Sequence, residues 1–326
     1  MPSQITAIVP HWNRAELLGR LLASLAAQTL PLDLILIADN GSTDSSRDVA
    51  AAYNAEFLPS LTNQGFAAAV NRGVAAAGTR WVAILNNDVE LHPACLEQLL
   101  QHAEDAQAWF AAPRLLQAAR HNVLDGCFDL LARSACAWRA GHGAPSGAPF
   151  LVPQPITFAP LTATLIRRDL FQHAGPLDEQ FGSYLEDVDF FLRCALTHAA
   201  GIYVPSATAL HAGSATLGAW SPGMVELISR NQLLLAAKHF PLSYLWHVLA
   251  GQTLWGALAF RNSTGFAWLK GKLAASLLFP SVRRHSSPVS REVLDPILRP
   301  CERRIAELQQ ATTRDFYWRA YFKVVS

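Results

Sequence analysis

The sequence predicts an α/β fold: a doubly wound, mostly parallel sheet flanked by helices, with a C-terminal α-helical appendage. Three observations carry this. Short apolar runs at Ile5 to Pro10, Leu32 to Ala38 and Trp81 to Leu85 alternate with stretches of helical spacing, the pattern of parallel βαβ units. Each run breaks off into polar residues, at His11-Trp-Asn13, Asp39-Asn-Gly-Ser-Thr-Asp44 and Asn86-Asn-Asp88, and open α/β sheets bind ligands at the carboxyl ends of their strands. Net charge changes sign along the chain: residues 1–226 hold 12 Arg and no Lys against 20 acids, whereas residues 227–300 hold nine basic residues against two acids. That break separates a domain at 1–226 from a basic, apolar, helical region at 227–326.

With 326 residues, 51% of them hydrophobic and 16% charged, the chain can bury a large core, and disorder is excluded. Ile5-Thr-Ala-Ile-Val9 is too short for a signal peptide and reads as a first strand, so a cytoplasmic chain is expected. The five cysteines are scattered without Cys-x-x-Cys spacing, which indicates small core residues rather than disulfides or a zinc site.

In order, Leu17, Leu18, Leu21, Leu22 and Leu25 place a helix over 16–30 after the first strand. A helix follows Ser42-Thr-Asp-Ser to about Tyr53, Phe57-Leu58 begins a short strand, and Asn63-Gln-Gly-Phe66 opens a small-residue helix through Ala77. Trp81 to Leu85 is the next strand, Leu96 to Ala106 a helix, and Trp109 to Arg114 a further strand. Between His121 and Gln154 the pattern degrades, and His142-Gly-Ala-Pro-Ser-Gly-Ala-Pro149 reads as a mobile connection. Strands return within 156–168, followed by a short helix over 169–175. Glu186, Asp187 and Asp189 suit the first turn of a helix, with Arg193 one turn beyond Asp189. Ile202-Tyr-Val204 is a strand and His211 lies just past it.

Asp88, released at the end of a buried strand, is placed to hold a hard divalent cation, which takes oxygen ligands and shares its shell with substrate phosphates. Plain turn chemistry is the competing reading of Asn86-Asn-Asp88 taken alone. The other motifs decide between them. Ile8-Val-Pro-His-Trp-Asn13, Ala38-Asp-Asn-Gly-Ser-Thr-Asp44, Asn63-Gln-Gly-Phe66 with Asn71 and Gly73, Leu85-Asn-Asn-Asp-Val89, Tyr184-Leu-Glu-Asp-Val-Asp189 with Arg193, and His211 occur in this order over residues 4–215. Together they resemble the family 2 glycosyltransferases of the GT-A fold, especially the rhamnosyltransferase-like bacterial members that build polysaccharides.

The resemblance implies a GT-A fold, a Rossmann-like sheet flanked by helices. It implies an inverting transfer from a nucleoside-diphosphate sugar, a UDP- or dTDP-sugar with dTDP-rhamnose among them, to a lipid-linked or polysaccharide acceptor of the cell surface. Such a reaction needs a base for the acceptor hydroxyl, a cation for the leaving diphosphate and a cleft for the nucleotide. By the resemblance, Asp39 accepts from the pyrimidine base, and Pro10, His11 and Asn13 line the nucleotide pocket. Asn63, Asn71, Arg72, Asn86 and Asn87 lie near the donor. Asp88 and His211 hold the metal, Mg2+ or Mn2+, and Asp187 is the general base with Tyr184 and Glu186 on the acceptor side. Two departures stand out. Asn86 replaces the first acid of the family's Asp-x-Asp motif, and Pro160-Leu-Thr-Ala163 stands where relatives usually carry a Gly-Ala pair.

Pro241 to Phe260 contains no charged residue, yet His247, Gln252 and Thr253 make it a poor membrane span. Trp246, Trp255 and Trp268 with neighbouring Arg and Lys fit helices lying in an anionic membrane interface, at the inner face of the cell membrane. The alternative for this stretch is packing on protein, a homo-oligomer interface included. A nucleic-acid role is excluded by the apolar, Trp-rich character of the basic region and the lack of a recognition module. A second functional reading is a catalytically silent binding or assembly subunit, favoured by Asn86 and opposed by Asp88, Asp187 and His211.

Overall fold

The computed structural model describes residues 4–213, 220–312 and 315–325. Its elements are β1 (Ile5–His11), α1 (Ala15–Ala26), β2 (Leu34–Asp39), α2 (Ser46–Ala52), β3 (Glu56–Leu58), α3 (Phe66–Ala76), β4 (Trp81–Leu85), β5 (Val89–Leu91), α4 (Cys95–Asp105) and β6 (Phe110–Gln117). There follow β7 (Arg120–Gly126), β8 (Asp129–Leu131), β9 (Ala137–Arg139), β10 (Gln154–Ile156), β11 (Ala163–Arg167), α5 (Leu170–His173), α6 (Glu186–Leu196) and β12 (Gly201–His211). Among the described residues the helices that follow are α7 (Pro222–His239), α8 (Leu245–Arg261), α9 (Gly265–His285), α10 (Arg291–Ala311) and α11 (Phe316–Val325).

Ten strands form one mixed sheet in the order β10-β12-β6-β11-β4-β1-β2-β3, with β5 beside β12 and β7 beside β6. The expected βαβ half is intact: β3, β2, β1 and β4 are parallel neighbours. β11 then runs antiparallel between β4 and β6, and β12 runs parallel to β6. Two reversals restore direction, so β1, β2, β4 and β12 all end at the same edge. Every residue of β1 is buried, as a strand covered on both faces requires. On one face Ile5, Ala7 and Val9 join Leu18, Leu21 and Leu22 of α1 and Leu96 and Leu99 of α4 in the core. On the other, Ile8 packs so tightly on α3 that a Cβ at Gly73 would lie 2.3 Å from its Cγ2.

The chain divides into two compact units, residues 1–128 with 141–213, and residues 129–140 with 214–326. The expected contiguous domain at 1–226 is therefore corrected. The β8–β9 hairpin belongs to the helical unit because its polar groups are satisfied there. Glu302 of α10 accepts from the Arg133 backbone at 2.9 Å and from its guanidinium at 2.6 and 2.8 Å, and Gln252 of α8 donates to Ser134 O at 2.9 Å. Within this unit α7 and α9 touch backbone to backbone: a Cβ at Gly271 would lie 2.3 Å from the Glu226 carbonyl oxygen. Next to that contact the Lys272 ammonium donates to Ser229 O, Gln232 and Gln252, although burial pulls it down to about 7. The last helix, α11, buries Tyr317, Trp318 and Tyr321.

The stretch over 142–149 is also corrected. It is stitched to β7 by Leu124 N donating to Ala144 O at 2.8 Å, Gly143 N to Leu124 O at 2.9 Å and a bridge from Val123 to Pro145, so it packs as part of the sheet's margin. All five cysteines are buried and free, as expected.

Candidate active site

The first wall is made where β1 and β2 end. Asn13 and Arg14 adopt left-handed backbone, φ 55° and 67°, which turns the chain sharply into α1. Asn13 holds the neighbouring loop: its N–H donates to Ser42 Oγ at 2.7 Å and its Oδ1 accepts from Thr43 N at 2.9 Å. Asp39, 3% exposed, accepts from Gly41 N and Ser42 N at 3.0 Å and from the Ser42 hydroxyl. An ionised carboxylate offers about four lone-pair sites, so Asp39 keeps capacity for one further donor. His11 is buried, and a chain of partners fixes its tautomer. The Ser46 hydroxyl donates to Asp44, so it accepts from His11 Nε2 at 2.7 Å, and His11 Nδ1 accepts from Asn87 Nδ2 at 3.0 Å. Both ring nitrogens are thereby taken, and burial keeps the imidazole neutral by lowering its pKa. Pro10 lies in β1 opposite Ala38.

The second wall runs from α3 to α6. Gly65, φ 91°, lies so close to Gly182 that a Cβ would stand 3.1 Å from its Cα, a conformation and approach that favour glycine. Asn63 Oδ1 caps Gly65 N at 2.9 Å. Arg72 donates to Asp39 O at 2.7 Å and to Gln64 at 3.0 Å, supporting the Asp39 turn from beneath. Asn71 uses both ends of its amide on another segment, donating to Leu177 O and Glu179 and accepting from Leu177 N, each at 2.9 Å. Arg193 pairs with the fully buried Asp189 at 2.9 Å, as the sequence led us to expect, and also donates to Ala174 O and Pro176 O. Residues 174–182 are thus pinned from three sides, and they lead directly to Tyr184 and Leu185, both left-handed at φ 69° and 66°. Non-glycine residues adopt this backbone at a cost of roughly 1–2 kcal/mol each, and such strain gathers where a side chain must be aimed. The side chains so aimed are Glu186, buried, and Asp187, half-buried. Burial and the Glu186 charge both raise the Tyr184 phenol above its ordinary pKa.

The third group lies where β4 and β12 end. Asn86 N donates to Thr162 O at 2.8 Å, so the unusual Pro160–Ala163 segment sits directly beside the Asn-Asn-Asp turn. β5 doubles back along β12, pairing Val89 with His211. That pairing sets Asp88 Oδ1 3.2 Å from His211 Nε2, with both side chains about 10% exposed. On the other side of the ring, Asp125 Oδ2 of β7 stands 2.8 Å from His211 Nδ1. Burial alone would pull His211 down, but hydrogen bonds to Asp125 and Asp88 and their charges outweigh it and lift the imidazole to about 9.

Asp88 and His211 fit a divalent cation. Neighbouring ligand atoms around an octahedral ion at about 2.1 Å stand about 3 Å apart, close to the spacing found. Among the described residues no group of three or more His, Cys, Asp or Glu could hold a metal. Asp125 was missing from the sequence reading. Arg120-His-Asn-Val-Leu-Asp-Gly126 has no clean alternation and no motif, so its role emerges only from the pairing of β7 with β6. A carboxylate behind a metal-binding histidine fixes its tautomer and raises its basicity.

Residues 6–175 match the sequence model of Glycosyl transferase family 2. The chain is 30% identical over 294 residues to an N-acetylglucosaminyl-diphospho-decaprenol L-rhamnosyltransferase of Mycobacterium tuberculosis, covering 80% of this chain and 92% of the relative. Among solved structures it is similar to GalNAc-T7 crystallised with UDP, GalNAc and Mn2+, at TM-score 0.61 and 14% identity, over 85% of this chain and 57% of that one. It is also similar to Staphylococcus aureus TarS, at TM-score 0.53 and 15% identity, over 94% of this chain and 54% of that one. At these identities the two structures speak for the GT-A fold alone.

Proposed function

The chain belongs to glycosyl transferase family 2, and from that premise we propose that it transfers a sugar, with inversion, from a UDP- or dTDP-sugar to a hydroxyl of a lipid-linked or polysaccharide acceptor. The observation that carries the reading is the pairing of Asp88 with His211 at the carboxyl edge of the sheet, with Asp125 behind the ring. Rhamnose is the favoured sugar because the mycobacterial relative is named for that transfer to a lipid-linked acceptor.

In this mechanism Asp39 accepts from the pyrimidine base while Arg72 holds its turn in place. Asp88 and His211 would hold Mg2+ or Mn2+, which would supply positive charge to offset that of the leaving diphosphate. Asp187 takes the proton of the acceptor hydroxyl, aimed by the left-handed pair Tyr184 and Leu185 and by the anchored segment before them. Tyr184 and Glu186 line the acceptor side. The work is done at the inner face of the membrane, where a lipid-linked acceptor resides.

The test is a panel of uridine- and thymidine-diphosphate sugars with and without Mg2+ or Mn2+, scored by free nucleoside diphosphate. Metal-dependent release from one donor, abolished in Asp88→Ala and at least tenfold slower in Asp187→Asn, is expected. Neither release nor binding of any donor would favour the silent subunit, to which Asn86 lends its support.

A further inference from the structure

The helical unit carries an apolar surface that its own packing leaves uncovered. At 3.6 residues per turn, positions 266, 270, 273, 277 and 284 of α9 fall on one face. Phe266 is 84% exposed, Leu273 64% and Leu277 76%, and Lys270 and Arg284 share the face with them. Helix α8 repeats the arrangement. Trp246, Leu249, Thr253, Ala257 and Phe260 follow one another at helical spacing, and every one is exposed. Their opposite sides are spent on packing, through Gly271 and Ala275 of α9 and Gly251 and Ala259 of α8. Phe260 and Phe266 flank the short turn over 262–264, so the two rows approach each other at the hairpin's corner.

Charge selects the occupant. From residue 227 through 291 the sequence has eight Lys and Arg and no Asp or Glu. A second copy of this surface would set positive charge against positive charge, whereas an anionic bilayer attracts each basic group near its surface. Among the described residues no helix is long and apolar enough to cross a membrane, and an apolar row on a basic helix instead suits lying in the interfacial plane. We propose that the α8–α9 hairpin is the docking surface for an anionic lipid bilayer, with Trp246, Leu249, Phe260, Phe266, Leu273 and Leu277 entering the interface and Arg261, Lys270 and Arg284 at the headgroups. Lys270 also pairs with Glu226 at 3.0 Å, which leaves Arg261 and Arg284 as the cleaner charges to test. This deepens the proposed function by naming how the chain is held beside a lipid-linked acceptor, and it rests on that reading for its purpose alone.

The full chain is sedimented with vesicles of phosphatidylcholine containing about a third phosphatidylglycerol, and with phosphatidylcholine alone, at low and high salt. Two variants are compared: Phe266→Ser with Leu273→Gln and Leu277→Gln, and Arg261→Glu with Arg284→Glu. All five sites are exposed, so thermal midpoints should stay within a few degrees of the parent. Wild type is expected to bind the anionic vesicles, with each variant losing about tenfold or more in partitioning and the charge contribution fading in high salt. Wild type remaining in the supernatant, or the apolar variant binding as well as wild type, overturns the proposal. So does a lipid-free dimer that the apolar variant abolishes, since a second copy would then cover the face. Donor turnover is measured in solution on the same preparations. Vesicle binding without turnover counts against the transferase reading and for the docking surface, and turnover without vesicle binding does the reverse.

Discussion

Asp125 gives the site its most specific residue-scale test. Asp125→Asn keeps the size of the side chain but no longer enforces one histidine tautomer, and outer partners of this kind are worth about 10–100-fold in metal affinity or activity. The expected result is a metal requirement raised by about that factor, read by titrating Mn2+ against donor release, together with a lowered thermal midpoint of the metal-free protein at neutral pH, where the His211 proton loses its Asp125 partner. His211 adds a pH signature. Its pKa of about 9 lies above the ordinary 6.5, so its proton stabilises the metal-free fold fully below pH 6.5, and that stability is lost as pH rises through 9. A cation must displace the same proton, so apparent metal affinity should rise about tenfold per pH unit between 7 and 8.5. A flat dependence would mean that His211 does not bind the metal. At this scale the sequence was informative wherever a motif existed. Asp88, His211, Asp39 and Asp187 all stood at strand or helix ends. By the resemblance His11 lines the nucleotide pocket and Asn71 lies near the donor; their polar atoms hold Asn87, Ser46 and the 177–179 segment, contacts that periodicity does not carry.

Among the elements, α6 shows how backbone strain and anchoring work together. Leu185→Gly removes a left-handed leucine and loosens the entry to the helix. The thermal midpoint should move little, while kcat falls about tenfold or more because small misplacements of a reacting group are costly. An unchanged kcat would mean that the turn is not needed to aim Asp187. In the other unit, Gly271→Ala forces a Cβ against the Glu226 carbonyl. Overpacking of this kind costs about 1–3 kcal/mol, and calorimetry should show it as a lowered transition with donor turnover largely retained. Before Arg114, β1, β2, β4, α1 and α4 were legible because each buries a regular apolar face, whereas the three-residue β5 was not read from the sequence. From 120 to 160 the strands were not legible. β8, β9 and β10 are three residues each, β7 meets β6 with register shifts, and short strands of this kind are specified by distant partners rather than by their own pattern.

For the whole molecule, the charge break near residue 226 does not coincide with the boundary between the two compact units, because twelve residues from the middle of the chain, 129–140, belong with the C-terminal unit. A chain ending at Gly213 would leave Arg133 and Ser134 without Glu302 and Gln252 and would uncover Leu130 and Leu131, which are buried in the full chain. Its soluble yield should fall well below that of the full chain, as fractionated lysates would reveal; equal yields would mean that the hairpin is self-sufficient. The same connectivity sets an order of events in time. Arg133 precedes Glu302 by 169 residues, so at about 5–20 residues per second the hairpin leaves the ribosome roughly ten to thirty seconds before its partner is made. About halfway through that wait β12 has been made and the first unit's sheet is complete, while the nascent protein still carries an unfinished insert that only the last helices can close.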